Sequence, residues 1–317
     1  MQLITTLLAV TLSAGTSLLY ATIGEIYTER SGILNLGVEG MLMMGALSAF
    51  AVSFYTGSLL LALIVAMVVG GFLALIHAFL SVSMRANQVV SGLSVTLFGT
   101  GLASFLGQRL GPESNGRNLA GMTAVSFSDV NIPFLSDMPI LSALFKQDIL
   151  TYGLFLLVPV SWYFLFKTKH GLSLRAVGEN PKTASAMGIG VSKLRYLYTV
   201  IGGMLVGLGG AHLTLGYTPG WSENITGGRG WIVIALVIFA TWNPSKAVFG
   251  AILFGGINAI QFRLQAAGTN IPAAFLNMAP YLVTVFVLSA MTIIGRKKRG
   301  KFSPPGALGT SFSIEDK

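Results

Sequence analysis

Runs of about 20 apolar residues recur along this chain, and each is long enough to cross the roughly 30 Å hydrocarbon core of a bilayer as a helix. Within lipid, backbone N–H and C=O groups must find partners inside the protein, so spans of this length form helices. Only 10% of the residues are charged, against about 25% in a typical soluble domain, which leaves too little polar surface to coat a globule in water. The expected fold is an all-α polytopic membrane helical bundle. About nine transmembrane segments are read at residues 3–24, 36–54, 59–82, 89–106, 149–166, 196–215, 231–242, 247–262 and 271–294. The second and seventh are candidates for broken or re-entrant helices: the second opens on Gly37, Glu39 and Gly40, and the seventh is short.

Charge orients the bundle. Residues 167–195, KTKHGLSLRAVGENPKTASAMGIGVSKLR, carry Lys167, Lys169, Arg175, Lys182, Lys193 and Arg195 against the single acid Glu179. This largest basic connection belongs on the cytoplasmic side. Counting from it puts the N-terminus outside, Arg85 inside and the C-terminus inside, and the cluster Arg296, Lys297, Lys298, Arg299 and Lys301 supports the last placement. The first apolar run has no Lys or Arg before it and reads as a retained span rather than a secretory signal. Loop 109–147, nearly balanced in charge, is read as external. Residues 1–295 thus form the membrane domain, and 296–317 a cytoplasmic basic cluster with a flexible tail. The net charge of +9 follows from this topology and calls for no nucleic acid. Within the basic block, Asn180 can cap a helix and Pro181 suits its first position, giving a short cytoplasmic helix between two spans.

Residues suited to chemistry are few. There is no cysteine, and His77, His170 and His212 lack metal-ligand spacing. The segment GENPKT (178–183) lacks the second glycine and the glycine-rich cradle of a phosphate loop. No catalytic residue, metal site or cofactor site is expected. Glu25, Glu29 and Arg30 read as a salt-bridged cluster at the membrane edge. Glu39 lies inside a span, where an unpaired charge is expensive, so it either bonds locally to backbone amides or basic groups or carries a coupling proton. Glu223 and Arg229 are read either as the rim of a pathway or as ordinary surface charges. Trp221, Trp231 and Trp242 suit interfacial anchoring. Small residues at Gly70-x-x-x-Ala74 and at Gly203-x-x-x-Gly207 followed by Ala211 mark faces for close helix approach. With so few intramembrane charges, three readings stay open at this point: a passive channel, an ion- or proton-coupled carrier using Glu39, and a membrane half driven by a separate ATPase through the Asn180 helix. A purely structural membrane scaffold is a further reading.

Four blocks then carry a resemblance: GEIYTERSGILNLGVEGMLMMGA (24–46), RANQVVSGLSVTLFGTGL (85–102), GLSLRAVGENPKTASAMGIGVSKLRY (171–196) and GRGWIVIALVIFATWNPSKAVFGAILFG (228–255). Together they resemble the membrane permeases of bacterial ABC importers, in the branch grouped with branched-chain amino acid permeases that serves nucleosides and simple sugars. The resemblance spans about residues 15–295. It implies a permease working in a pair with a second, heterologous permease, two ABC ATPase domains inside, and an external substrate-binding lipoprotein. On this chain it implies an ATPase-coupling segment at Glu179, Asn180, Pro181, Thr183, Ala184, Met187 and Gly188, with Thr183, Ala184 and Met187 as contact residues. It gives Asn35 and Glu39, in NLGVEG, an architectural role. The turn TERSGILNLGVEGM and the short N-terminus are similar to the nucleoside-type permeases, with a ribose-like sugar as the alternative substrate.

Overall fold

The computed structural model describes residues 2–131, 142–268, 272–297 and 304–313. Its long helices are α1 (Gln2–Arg30), α2 (Val38–Thr56), α3 (Leu59–Ala78) and α4 (Gln88–Gly107). A connection then pairs β1 (Val130–Asn131) in antiparallel fashion with β2 (Lys146–Gln147) around the short α5 (Ser142–Phe145). Helix α6 (Ile149–Lys167) leads into the small helices α7 (Lys169–Glu179) and α8 (Pro181–Ala186). The chain then forms α9 (Val191–His212), α10 (Arg229–Phe239), α11 (Pro244–Ala266) and α12 (Ala273–Lys297). Side-chain caps set several of these boundaries. Ser58 accepts from Leu61 N at the start of α3, Asn87 from Val89 N and Val90 N at α4, and Asp148 from Leu150 N and Thr151 N at α6. Each satisfies N–H groups that the first helical turn leaves without partners.

Helix α9 is the hub, and glycine is what lets three neighbours reach it. A Cβ at Gly203 would stand 2.6 Å from the carbonyl oxygen of Gly70 on α3, and one at Gly45 on α2 would stand 2.6 Å from the Cα of Gly207. On α1, the backbone of Gly24 leaves room for Gly202 only because neither residue has a side chain. The two small-residue motifs on α3 and α9 are therefore partners in one interface, held by backbone-to-backbone dispersion contact. The outer helices α3 and α6 present Leu60, Val68, Phe72 and Leu156 outward, as lipid-facing surfaces do.

The helix ends sort onto two faces. On one, Arg195 Nε donates to Ser31 O (3.2 Å), Arg30 Nε to Trp242 O (3.1 Å), and Leu34 N to Gln88 Oε1 (2.7 Å). This face holds the basic 167–195 block. On the other, Ser53 Oγ donates to Val125 O (2.6 Å), and Asp148 Oδ2 lies 3.1 Å from His212 Nε2. Burial works to raise the Asp148 carboxyl pKa. The hydrogen bond and charge of His212, with the Thr151 hydroxyl and N–H, outweigh that and bring it down to about 2.

Several expectations change. Among the described residues, seven helices rather than nine are long and apolar enough to cross a membrane; α10 and the 275–287 part of α12 are apolar but shorter. The eleven residues of α10 rise about 16 Å, half of a hydrocarbon core. Glu25, Glu29 and Arg30 make no ion pair with one another. Glu25 accepts from Asn35 Nδ2 (3.0 Å), Glu29 from Trp242 Nε1 (2.5 Å), and Arg30 turns to the Trp242 and Thr241 carbonyls. Helix α1 buries Glu25 and Glu29 and half-buries Arg30; amide, indole and carbonyl partners engage them, while Glu25 Oε1 has no hydrogen-bond partner among the described residues. His77 is buried between Ser91 and the Leu34 carbonyl, whereas His170 is exposed. Lys298, Arg299 and Lys301, and the apolar piece at 132–135, lie outside the described residues.

Candidate functional site

The seventh segment, taken with the stretch that leads into it, is only about half helical. After α9 the chain takes a π-helical turn (Leu213–Tyr217), runs through irregular backbone and starts α10 at Arg229. Arg229 NH1 reaches the Ala14 carbonyl (3.4 Å), midway along α1, while Trp242 past the other end meets Glu29 at the end of α1 that adjoins the basic block. Helix α10 therefore covers only the half nearer the basic block, and residues 218–228 supply the remaining depth without helix. Irregular backbone at that depth needs polar partners from the protein.

Glu39 supplies them. From the first turn of α2, its Oε1 accepts from the Thr226 hydroxyl (2.6 Å) and Gly228 N (2.9 Å), and its Oε2 from Gly230 N (2.5 Å). A carboxylate thus sits on the positive end of α10, where free N–H groups and the helix dipole favour it. Gly228 turns with φ +81°, and a Cβ at Gly230 would lie 2.5 Å from the Glu39 backbone. Only glycine allows this approach. The non-helical backbone expected beside Glu39 thus belongs to the opposite segment, and Glu39 itself is helical. Asn35 caps its own turn, accepting from Gly37 N (2.9 Å) while donating to Glu25.

Above this break lies a cavity of about 900 Å³ between α4, α10, α11, α12 and the 218–228 segment. Its walls carry hydroxyls and amides: Thr100, Ser222, Asn224, Asn258, Gln261 and Asn277, with Trp231, Phe262 and Tyr281 as aromatic surface. Two buried polar atoms here, Asn258 Nδ2 and Gln261 Oε1, have no hydrogen-bond partner among the described residues. One is a donor and the other an acceptor, and buried groups of this kind are normally satisfied. The charges at the edge are already engaged. Glu39 holds α10, and the Arg229 guanidinium lies 5.0 Å over the Tyr217 ring. Glu223 does not meet Arg229; it is hydrogen-bonded to Gln108 at the far side. The open groups are neutral, so the cavity suits an uncharged solute rich in hydroxyls or ring heteroatoms.

The basic block folds into a helical hairpin. Thr168 caps α7 through Gly171 N (3.1 Å), and Asn180 caps α8 through Thr183 N (3.0 Å), with Pro181 at the first helical position. Gly188, at φ +79°, ends α8 in the left-handed region. Thr183 and Met187 point outward, Met187 with 77% of its surface exposed. Ala184 does not; it packs against Val177 and Val191 with 3% exposure. Of the three residues named as contacts, two are on the free surface and one is in the seat of the helix. Glu179 lies at the end of α7, where one of its oxygens accepts from Gly306 N (3.4 Å).

Residues 7–295 match the protein family described as the branched-chain amino acid transport system, permease component. The chain belongs to that family. A relative from Haloferax volcanii, "Putative glucose ABC transporter permease protein TsgC13", is 41% identical over 98% of both chains. The guanosine ABC transporter permease protein NupQ of Bacillus subtilis is 32% identical, over 93% of this chain and 94% of the relative. The nucleoside ABC transporter permease protein NupC of Lactococcus lactis subsp. cremoris is also 32% identical, over 94% and 93%. The permease is thus a multi-pass membrane subunit of an ABC importer, related to sugar and nucleoside permeases and not itself the ATPase. The family implies an ATPase subunit and a substrate-binding protein as its partners.

Reading the permease by sequence missed Thr226, Asn258, Gln261, Asn277 and Tyr281. A signal was present for the three amides: each is a polar residue embedded in an apolar run, and such residues tend to face a bundle interior or a wet cavity.

Proposed function

We propose that this permease carries neutral nucleosides across the membrane, with the cavity beside the broken seventh segment as part of the translocation path. The carrying observation is the pair of unpartnered buried amide atoms, Asn258 Nδ2 and Gln261 Oε1, in a wall whose charges are already engaged. A solute hydroxyl or ring nitrogen would complete them, and aromatic surfaces at Trp231 and Tyr281 suit a planar base. The guanosine and nucleoside permeases named above support the same reading. A simple sugar is the second reading, favoured by the glucose-named relative at 41% identity.

The basic hairpin is the ATPase-coupling segment in this account. Its exposed Thr183 and Met187 form the contact face, and Asn180, Pro181 and Gly188 fix the ends of α8. Glu179 and Ala184 seat the helix from behind. The face bearing the hairpin is cytoplasmic, which puts the N-terminus outside and the C-terminus inside. Asn35, Glu39 and Arg229 are architectural and hold α10 in place, while Glu223 lies at the outer rim. Exposed apolar residues on α4 (Leu97, Phe98) and α12 (Leu282, Phe286) flank the cavity and would pack against a second, heterologous permease. An external substrate-binding lipoprotein delivers the solute.

The test is uptake of labelled guanosine into proteoliposomes holding the complete complex, competed with glucose, ribose and leucine. ATP-dependent uptake blocked by other nucleosides supports the first reading. No uptake of labelled guanosine, with ATP-dependent uptake of labelled glucose or ribose that nucleosides do not block, selects the second. Concentrative uptake by the permease alone would overturn both.

A further inference from the structure

Residues 304–313, beyond α12, lie across the face that holds the basic hairpin, and their contacts join five separate elements. Ala307 N donates to Gly178 O near the end of α7 (2.9 Å), and Gly309 N to Gly32 O in the α1–α2 turn (3.2 Å). The Thr310 carbonyl accepts from Arg195 NH1 at the start of α9 (3.0 Å) and from Gln88 Nε2 at the start of α4 (3.3 Å). Phe312 packs on the apolar seat of α8, formed by Val177, Ala184 and Val191. Ala307 is buried, and both Gly32 and Gly309 take left-handed backbone conformations (φ +89° and +78°) where they meet.

Of the elements so joined, α4 lines the cavity through Thr96 and Thr100, and the α1–α2 turn leads to Glu39, which also lines it. Arg195 donates to Ser31 O as well as to Thr310 O, and Gln88 accepts from Leu34 N, so the two side chains tie the segment to the turn that leads into α2. Two residues further on, Leu36 O accepts from Thr96 of α4 (2.7 Å), and Glu39 grips the start of α10. A continuous set of hydrogen bonds and packed side chains therefore runs from α8, through 304–313 and the α1–α2 turn, to the base of the broken segment.

We propose that residues 304–313 act as a transmission strap that carries displacement of α8 to the α1–α2 turn and the starts of α2 and α4. This rests on the reading of α8 as the ATPase-coupling helix. The strap is a positioning element: it touches neither solute nor nucleotide. A coupling element of this kind needs discrete packed contacts at both ends, which Phe312 on the seat of α8, Gly309 on the turn and Thr310 on Arg195 and Gln88 supply.

The test uses the complete complex with its ATPase and binding protein, in proteoliposomes supplied with labelled guanosine and, separately, labelled glucose. Two variants are compared with the native chain: one ending at residue 303, and the milder Phe312→Ala. Both should retain the ATPase in native ratio and hydrolyse ATP without solute at a near-native rate. Solute-stimulated hydrolysis and uptake should fall about tenfold in the truncation, and by a smaller factor in Phe312→Ala. Native uptake in both variants would overturn the strap. Loss of the ATPase from either variant would also overturn it, since the segment would then serve docking rather than transmission. Met187→Asp, run alongside, tests α8 separately: ATPase retention in that variant defeats the docking reading whatever the truncation shows.

Discussion

The carboxylate of Glu39 and the backbone N–H of Gly230 meet at 2.5 Å, although 191 residues separate them in the chain. That contact joins the first turn of α2 to the first turn of α10 and satisfies an N–H that the start of α10 leaves without a helical partner. The second oxygen, with Thr226 and Gly228, completes a carboxylate cap supplied by a different helix.

Removing the cap has a calculable effect. Glu39→Ala leaves the buried Gly230 N–H and the half-buried Gly228 N–H without an acceptor, at about 1–3 kcal/mol for a buried group, and leaves the Thr226 hydroxyl only Met43 Sδ (3.6 Å). Glu39→Gln keeps one acceptor oxygen and should lose less. Gly230→Ala places a methyl against the Glu39 backbone and should cost about 1–3 kcal/mol through overpacking. Thermal unfolding in detergent, followed by fluorescence-detected size exclusion, should rank Glu39→Ala as the least stable of the three. Equal midpoints for Glu39→Ala and the native protein would remove the cap from the account.

Two substitutions on α8 should separate docking from folding. Met187 is 77% exposed and Ala184 3% exposed, one turn apart. Met187→Asp should leave the melting midpoint unchanged and weaken ATPase association by about tenfold or more. Ala184→Asp buries a charge beside Val177 and Val191, so it should lower stability first and lose the ATPase as a consequence. Pull-down of the ATPase alongside a melting curve distinguishes the two; the opposite pattern would mean that α8 is turned the other way.

Acid sensitivity should trace to Asp148. Its folded pKa of about 2 lies below its ordinary value of 3.8, so the carboxylate contributes stability above about pH 4 and loses that contribution as the pH falls towards 2. A shift of this size corresponds to about 2 kcal/mol. Asp148→Asn should unfold at lower temperature near neutral pH and lack this part of the acid slope, read from melting midpoints across that range. An unchanged slope in the variant would assign the acid loss to another group.

Much of this architecture was legible in the residues. Lipid forces long apolar helices, so α1, α3, α6 and α11 stand close to their expected positions. The glycine pattern at 203 and 207 was legible for the same reason, since small side chains are what permit close approach in lipid. Asn180 and Pro181 mark the start of α8 by local chemistry alone. The shortness of α10 was legible because Asn243 and Pro244 end the run 231–242, whereas its carboxylate partner was not, since Glu39 lies 191 residues away from Gly230. Nor does composition show that 304–313 is packed: this Gly- and Pro-containing segment is held by backbone groups meeting Gly178 and Gly32, pairings that local residue patterns do not encode. Ala184 and Met187 looked equivalent in sequence, and only the seat on Val177 and Val191 separates them.

The central claim is that neutral solute passes through the cavity walled by Asn258, Gln261 and Trp231. The chain contains no cysteine, so Trp231→Cys gives a single thiol in that wall for a small water-soluble alkylating reagent. In the complete complex, the account predicts modification that is slowed by guanosine or glucose, whichever is transported, and changed again by ATP. A thiol at 231 that reacts at one rate with and without transported solute would contradict it.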